Sequence, residues 1–275
     1  MLLDYFISGL TKHIFLDVGN LLFVESQMMA FNPEIKEQVL AMDQNVNKFY
    51  HPLRMVVAGP SGCGKSIFLK NLIKFREQVF TTRFSKIFCV VPSNPSQLHT
   101  DIFDEMRSSC PNIEMVMGIP KDLLREILCD GLPKLVMFDD IMSLIFENKF
   151  MEGLFVQFSH HNSCSVIFTS QNFYCSSKNK NIMRQLTYKV IFNTLRTDQI
   201  LLRSLGCLQK CENPNFLIEI FQTLENRFPF NNYLYIVIDS VPHSIMKNMH
   251  FRTNVFPNED GSITPLCFFS NRRKS

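Results

Sequence analysis

The run Gly59-Pro60-Ser61-Gly62-Cys63-Gly64-Lys65-Ser66 has the residue types and spacing of a phosphate cradle. Its glycines let backbone N–H groups turn inward around phosphate oxygens with no Cβ in the way. A helix starting near Gly64 would add its N-terminal dipole to the same anion. Lys65 would bring a mobile positive charge to the β- and γ-phosphates, and Ser66 a hydroxyl ligand for Mg²⁺. The chemistry so outlined is binding and cleavage of ATP with Mg²⁺. Cys63 occupies a variable position of the loop and needs no redox role.

Two carboxylates follow in Lys134-Leu135-Val136-Met137-Phe138-Asp139-Asp140, an apolar run with acids at its end. A parallel strand buried on both faces reads this way, and its C-terminal edge is where a phosphate loop also lies. Asp139 would hold Mg²⁺ through water, and Asp140 would polarise the attacking water. The same pair could instead cap a helix; behind a phosphate loop the metal and base roles are the better reading. A third run, Ser165-Val166-Ile167-Phe168-Thr169, ends in Ser170-Gln171-Asn172. A polar side chain there can touch both the γ-phosphate and the lytic water. Gln171 is the first choice for that sensor and Asn172 the second.

These groups need elements to hold them. Leu53–Ala58 suits a buried strand before the loop, and the apolar spacing of 67–75 suits a helix after it. Further strands are expected at Lys86–Val91, weakly at Ile113–Met117, at Tyr188–Phe192 and at Tyr233–Ile238. Helices are expected along the stripe Phe150, Leu154 and Phe158, after a Thr197 cap through Leu208, and from Pro214 to about Glu225. The alternation makes an α/β fold with a mostly parallel central sheet and helices on both faces. The order of loop, intervening strand, acid pair and polar sensor favours the additional-strand class of P-loop NTPases over small-molecule kinases.

Composition narrows the field further. A hydrophobic share of 46% excludes a disordered chain. Lys+Arg 28 against Asp+Glu 25 leaves a charge of +3, which neither demands nor excludes a nucleic-acid partner. The 27 phenylalanines, with no tryptophan, read as core filling. Nine singly scattered cysteines read as reduced thiols of an intracellular protein that is not secreted. Asp4, Lys12, His13 and Asp17 interrupt the apolar beginning, so neither a membrane span nor a signal peptide is expected there.

Six segments in order carry a family resemblance: Phe49-Tyr50-His51-Pro52, the loop Gly59–Ser66, Gly118-Ile119-Pro120, Phe138-Asp139-Asp140-Ile141-Met142, Thr169-Ser170-Gln171-Asn172, and Asn193 through Ile200. The chain resembles the genome-packaging ATPases of the FtsK–HerA superfamily, of the poxvirus-like, Maverick/polinton and adintovirus type. The resemblance covers roughly residues 45 to 245. It implies a P-loop ATPase domain over 46–245, between an N-terminal extension (1–45) and a C-terminal tail (246–275). It also implies a homo-oligomeric ring, ATP hydrolysis between subunits, and double-stranded DNA driven into a capsid. The metal, base and sensor roles carry over to Asp139, Asp140 and Gln171. A trans-acting arginine is implied as well, with Arg184 the first choice and Arg196 the second. DNA would be held through its backbone, since a packaging motor cannot depend on sequence. Ser176–Asn181 is a pore loop or an exposed turn, and Arg272-Arg273-Lys274 a solvated tail.

Other nucleotide-binding classes fit these residues less well. A nucleotide kinase usually places the loop near its start and adds an Arg-rich lid, which is not evident here. Transporter ATPases need a Leu-Ser-Gly-Gly-Gln signature, which is absent from the sequence. A non-catalytic ATP-gated scaffold sits poorly with intact Lys65, Asp139 and Asp140. A replicative helicase or AAA+ loader remains the nearest alternative.

Overall fold

Alternation along short apolar runs builds the centre of the protein. The computed structural model describes residues 22–24, 36–41, 47–119, 130–141, 163–171, 180–193, 199–209, 211–231, 233–241 and 251–269, with residues 122, 125, 127, 153 and 173. The strands are β1 (Leu22–Val24), β2 (Lys36–Ala41), β3 (Arg54–Ala58), β4 (Lys86–Val91), β5 (Ile113–Met117) and β6 (Lys134–Phe138). They continue as β7 (Cys164–Ser170), β8 (Tyr188–Phe192), β9 (Tyr235–Asp239), β10 (Phe251–Thr253) and β11 (Leu266–Phe269). The helices are α1 (Lys65–Lys74), α2 (Arg76–Val79), α3 (Gln97–Ser109), α4 (Lys180–Arg184), α5 (Gln199–Leu208) and α6 (Phe216–Arg227).

All described strands lie in one sheet, in the order β1-β2-β11-β10-β9-β8-β3-β7-β6-β4-β5. From β8 to β5 every pairing is parallel. Successive residues of a strand point to opposite faces, so each parallel strand feeds two cores. Met55 and Val57 of β3 join Phe68, Leu69, Leu72 and Ile73 of α1 and Ile102, Phe103 and Met106 of α3. Val56 and Ala58 join Leu201, Leu202 and Leu205 of α5 and Phe221 and Leu224 of α6 on the other side. Helices therefore cover both faces, as the alternating pattern predicts. Nine of the eleven largest fully buried side chains are phenylalanines, so these rings are core filling.

Two features depart from the sequence reading. Of the Tyr233–Ile238 run only the part from Tyr235 enters β9, and β9 is antiparallel to β8. From there to β1 every pairing is antiparallel. The sheet also takes in residues placed outside 46–245: β1 and β2 from the N-terminal side, β10 and β11 from the C-terminal side. Phe251, Leu266 and Phe268 are buried in the main core. Arg252 is fully buried, with its guanidinium 3.4 Å from Asp239 and 5.3 Å from the centre of the Phe49 ring. A charge this deep needs such partners, so β10 is an integral part of the sheet. The stripe at Phe150–Phe158 and the Thr197 cap lie outside the described residues.

Candidate functional site

The loop begins where β3 stops. The Gly59 N–H donates to the Ser170 carbonyl at 3.0 Å, tying the loop to the end of β7. A Cβ on Gly59 would stand 2.7 Å from both Cys63 Sγ and Phe192 Cβ, so only glycine fits. Gly59→Ala is expected to destabilise the fold by about 1–3 kcal/mol through overpacking, read as a lowered denaturation midpoint. Gly64 sits at φ 101°, a left-handed backbone that directly precedes α1. A Cβ there would lie 2.9 Å from the Tyr233 ring. Pro60, Ser61 and Gly62 are exposed, while Cys63, Lys65 and Ser66 are half-buried.

The first N–H groups of α1 have no intrahelical acceptor, and its first turn carries no acidic residue. That end is accordingly electropositive. Lys65 Nζ donates to the carbonyls of Gly59 and Pro60, each at 2.9 Å, and so lies over its own loop. Burial lifts the Cys63 thiol above its ordinary pKa against the pull of Lys65, which disfavours a reactive thiolate.

Strand β6 is buried along its whole length, and Asp139, the next residue, is also buried. Its N–H donates to the Val90 carbonyl at 2.9 Å, which fixes the acid at the C-terminal edge. Asp140 is exposed and adopts φ 56°, unusual for a residue with a side chain. One hydroxyl holds the pair. Thr169 Oγ1 donates to Asp139 Oδ1 at 2.8 Å and accepts the Asp140 N–H at 2.9 Å. This uses both capacities of a hydroxyl, donor and acceptor. The Cys89 thiol is raised to about 12, chiefly by burial and then by the Asp139 carboxylate beside it.

Thr169 is a positioning residue that the sequence reading passed over. Its signal was a buried hydroxyl residue within an apolar strand. Thr169→Val is expected to lower any Mg²⁺-dependent ATPase turnover about 10–100-fold, the usual cost of losing a group that orients a metal ligand. Thr169→Ser should restore it and keep the Mg²⁺ concentration for half-activity near wild type. Equal activity in the valine variant would show that the clamp has no part in turnover.

Gln171 is exposed immediately after β7, at the edge that holds the loop and Asp139. Arg184 is exposed at the end of α4. It leads into Gln185 and Thr187, whose side chains bond Arg54 at the start of β3. The loop of the same chain lies at the other end of β3, five residues or about 16 Å of strand away. The fold therefore brings together the loop, Asp139, Asp140 and Gln171, and leaves Arg184 at the opposite edge. Asn172, Arg196, the 176–179 part of the pore-loop candidate and Arg272–Lys274 lie outside the described residues.

Asp139 and Ser66 offer hard oxygen donors, the chemistry that suits Mg²⁺. Among the described residues no group of three His, Cys, Asp or Glu side chains could hold a metal by itself. Among the same residues no helix is long and apolar enough to cross a membrane.

The glycine-rich loop between β3 and α1, the acid-tipped β6, and β7 inserted between β3 and β6 define a P-loop NTPase of the additional-strand class. A family model described as Poxvirus A32 protein matches residues 43–253. The chain belongs to that family, which bears out the resemblance to packaging ATPases of poxvirus-like type. No curated protein sequence matches the chain. Among solved structures it is similar to the genome packaging NTPase B204 from Sulfolobus turreted icosahedral virus 2 in complex with ATP-gammaS. That match has 10% identity and a TM-score of 0.38, over 69% of this chain and 93% of the other. It is also similar to the flagellar accessory protein FlaH from Methanocaldococcus jannaschii, at 13% identity and a TM-score of 0.36, over 52% of this chain and 72% of the other.

Proposed function

We propose that the protein is an ATP-hydrolysing motor that assembles as a homo-oligomeric ring and drives double-stranded viral or virus-like DNA into a capsid. One observation carries the hydrolytic part: Thr169 of the inserted strand grips Asp139 and Asp140 at the edge where the phosphate loop begins. Membership of the A32 family supports the packaging part. The machinery lies within 46–245, and the outer strands extend its sheet.

In this reading the loop N–H groups and the α1 terminus bind the β-phosphate. Lys65 exchanges the Gly59 and Pro60 carbonyls for phosphate oxygens. Ser66 and Asp139 would hold Mg²⁺, which supplies neutralisation of the phosphate charge. Asp140 accepts a proton from the attacking water, and Gln171 orients that water against the γ-phosphate. Arg184 serves the site of a neighbouring copy, since its own loop is out of reach. DNA is held by backbone contacts, and the motor works inside the host cell.

The test is phosphate release by the full chain with and without double-stranded DNA. Stimulation by a duplex of any sequence is expected. Hydrolysis indifferent to DNA would sink the translocase. Strand separation of a forked duplex would indicate a helicase, and phosphate transfer to a nucleoside monophosphate a kinase.

A further inference from the structure

Beside the phosphate loop, at the end of α6 and the start of β9, lies an aromatic cleft of about 500 Å³ lined by Arg227, Phe228, Phe230 and Tyr233 among others. Phe230 is 97% exposed and Tyr233 58% exposed, a large apolar area to leave in water. Local bonds fix this turn. The Asn231 N–H donates to the Phe228 carbonyl at 3.0 Å, and the Tyr233 N–H to Asn231 Oδ1 at 2.8 Å. The Arg227 guanidinium lies over the Phe228 ring at 5.6 Å. The Asn193 N–H at the end of β8 bonds the Leu234 carbonyl at 2.9 Å, which sets Tyr233 next to the loop. There its ring fills the space that a Cβ on Gly64 would need.

We infer that this cleft is the nucleobase subsite, in which Phe230 and Tyr233 stack on the base of the nucleoside triphosphate held by Gly59–Ser66. The inference rests on the triphosphate reading of that loop. The sheet order supplies the direction. Asp139 follows β6, beyond β7 on one side of β3, whereas the cleft lies in the turn that leads into β9, beyond β8 on the other. A triphosphate whose γ end faces Asp139 must run its α end, ribose and base toward β8 and β9. Two strand spacings, about 10 Å, separate β3 from β9, within the span of a nucleoside. Aromatic rings with one face open are what a base needs, because every base has a π face.

The experiment compares ATP with inorganic tripolyphosphate, which carries the phosphates and no base, in equilibrium binding to the full chain. Phe230→Ala and Tyr233→Ala should each weaken ATP about tenfold or more and leave tripolyphosphate unchanged, while Tyr233→Phe keeps both. Phe230 is almost wholly exposed, so its variant tests the idea even if Tyr233→Ala disturbs the loop. ATP affinity unchanged in Phe230→Ala and Tyr233→Ala, or both ligands weakened equally, overturns the subsite with the loop reading intact. Lost assembly at unchanged ATP affinity also overturns it and gives this face to a second copy of the chain. A wild-type chain that binds neither ligand overturns both readings.

Discussion

Lys65→Ala should lose ATP hydrolysis by at least about a hundredfold, the scale of removing one preorganised charge from a developing anion. Lys65 Nζ lies on the carbonyls of Gly59 and Pro60, so it is already at the mouth of the cradle. Its bonds there are to loop carbonyls near the surface, and the alanine variant should fold. Circular dichroism of the variant provides that control, and phosphate release with and without double-stranded DNA provides the readout. Release unchanged by the substitution would move the hydrolytic site away from this loop and remove the motor reading with it.

The second large effect concerns Arg184. A guanidinium donated in trans is worth about 10³- to 10⁵-fold in related phosphoryl transfers. Arg184 is exposed on α4, while Gln185 and Thr187 anchor the following turn to Arg54 at the start of β3. Within one chain it is thus separated from Lys65 by the length of that strand. Arg184→Ala alone and Asp140→Asn alone should each be inactive as homo-oligomers. Mixed, they should recover some turnover, because one subunit then offers an intact Asp140 and its neighbour an intact Arg184. Absence of recovery from rings that still assemble would rule Arg184 out and turn attention to Arg196. Recovery would establish both the direction of the contact and the need for a ring.

Much of the site was legible because its signals are local. The Gly59–Ser66 spacing is a backbone requirement written over eight consecutive residues. The acid pair after an apolar run places itself at a strand end. Strands β4 and β8 coincide with the runs Lys86–Val91 and Tyr188–Phe192, since short apolar stretches between turns have few other uses in this class. The phenylalanines were legible as core for the same reason.

The remaining features join residues far apart in the chain. Thr169 meets Asp139 across 30 positions, and nothing near either residue names the other. The ring of Tyr233 against Gly64 is of the same kind. Strand direction belongs here too. Tyr235–Asp239 shows the apolar run of a buried strand, but pairing with β8 makes it antiparallel. A run of β-forming residues specifies that a segment extends and which side chains share a face. Its neighbour and its direction follow from which backbone edges remain unpaired after the core has closed. Periodicity and spacing therefore yielded the chemistry of the loop and acids. Long-range packing settled the antiparallel flank, the buried Arg252, the hydroxyl clamp and the aromatic wall beside the cradle, because those contacts exist only once distant segments share one sheet.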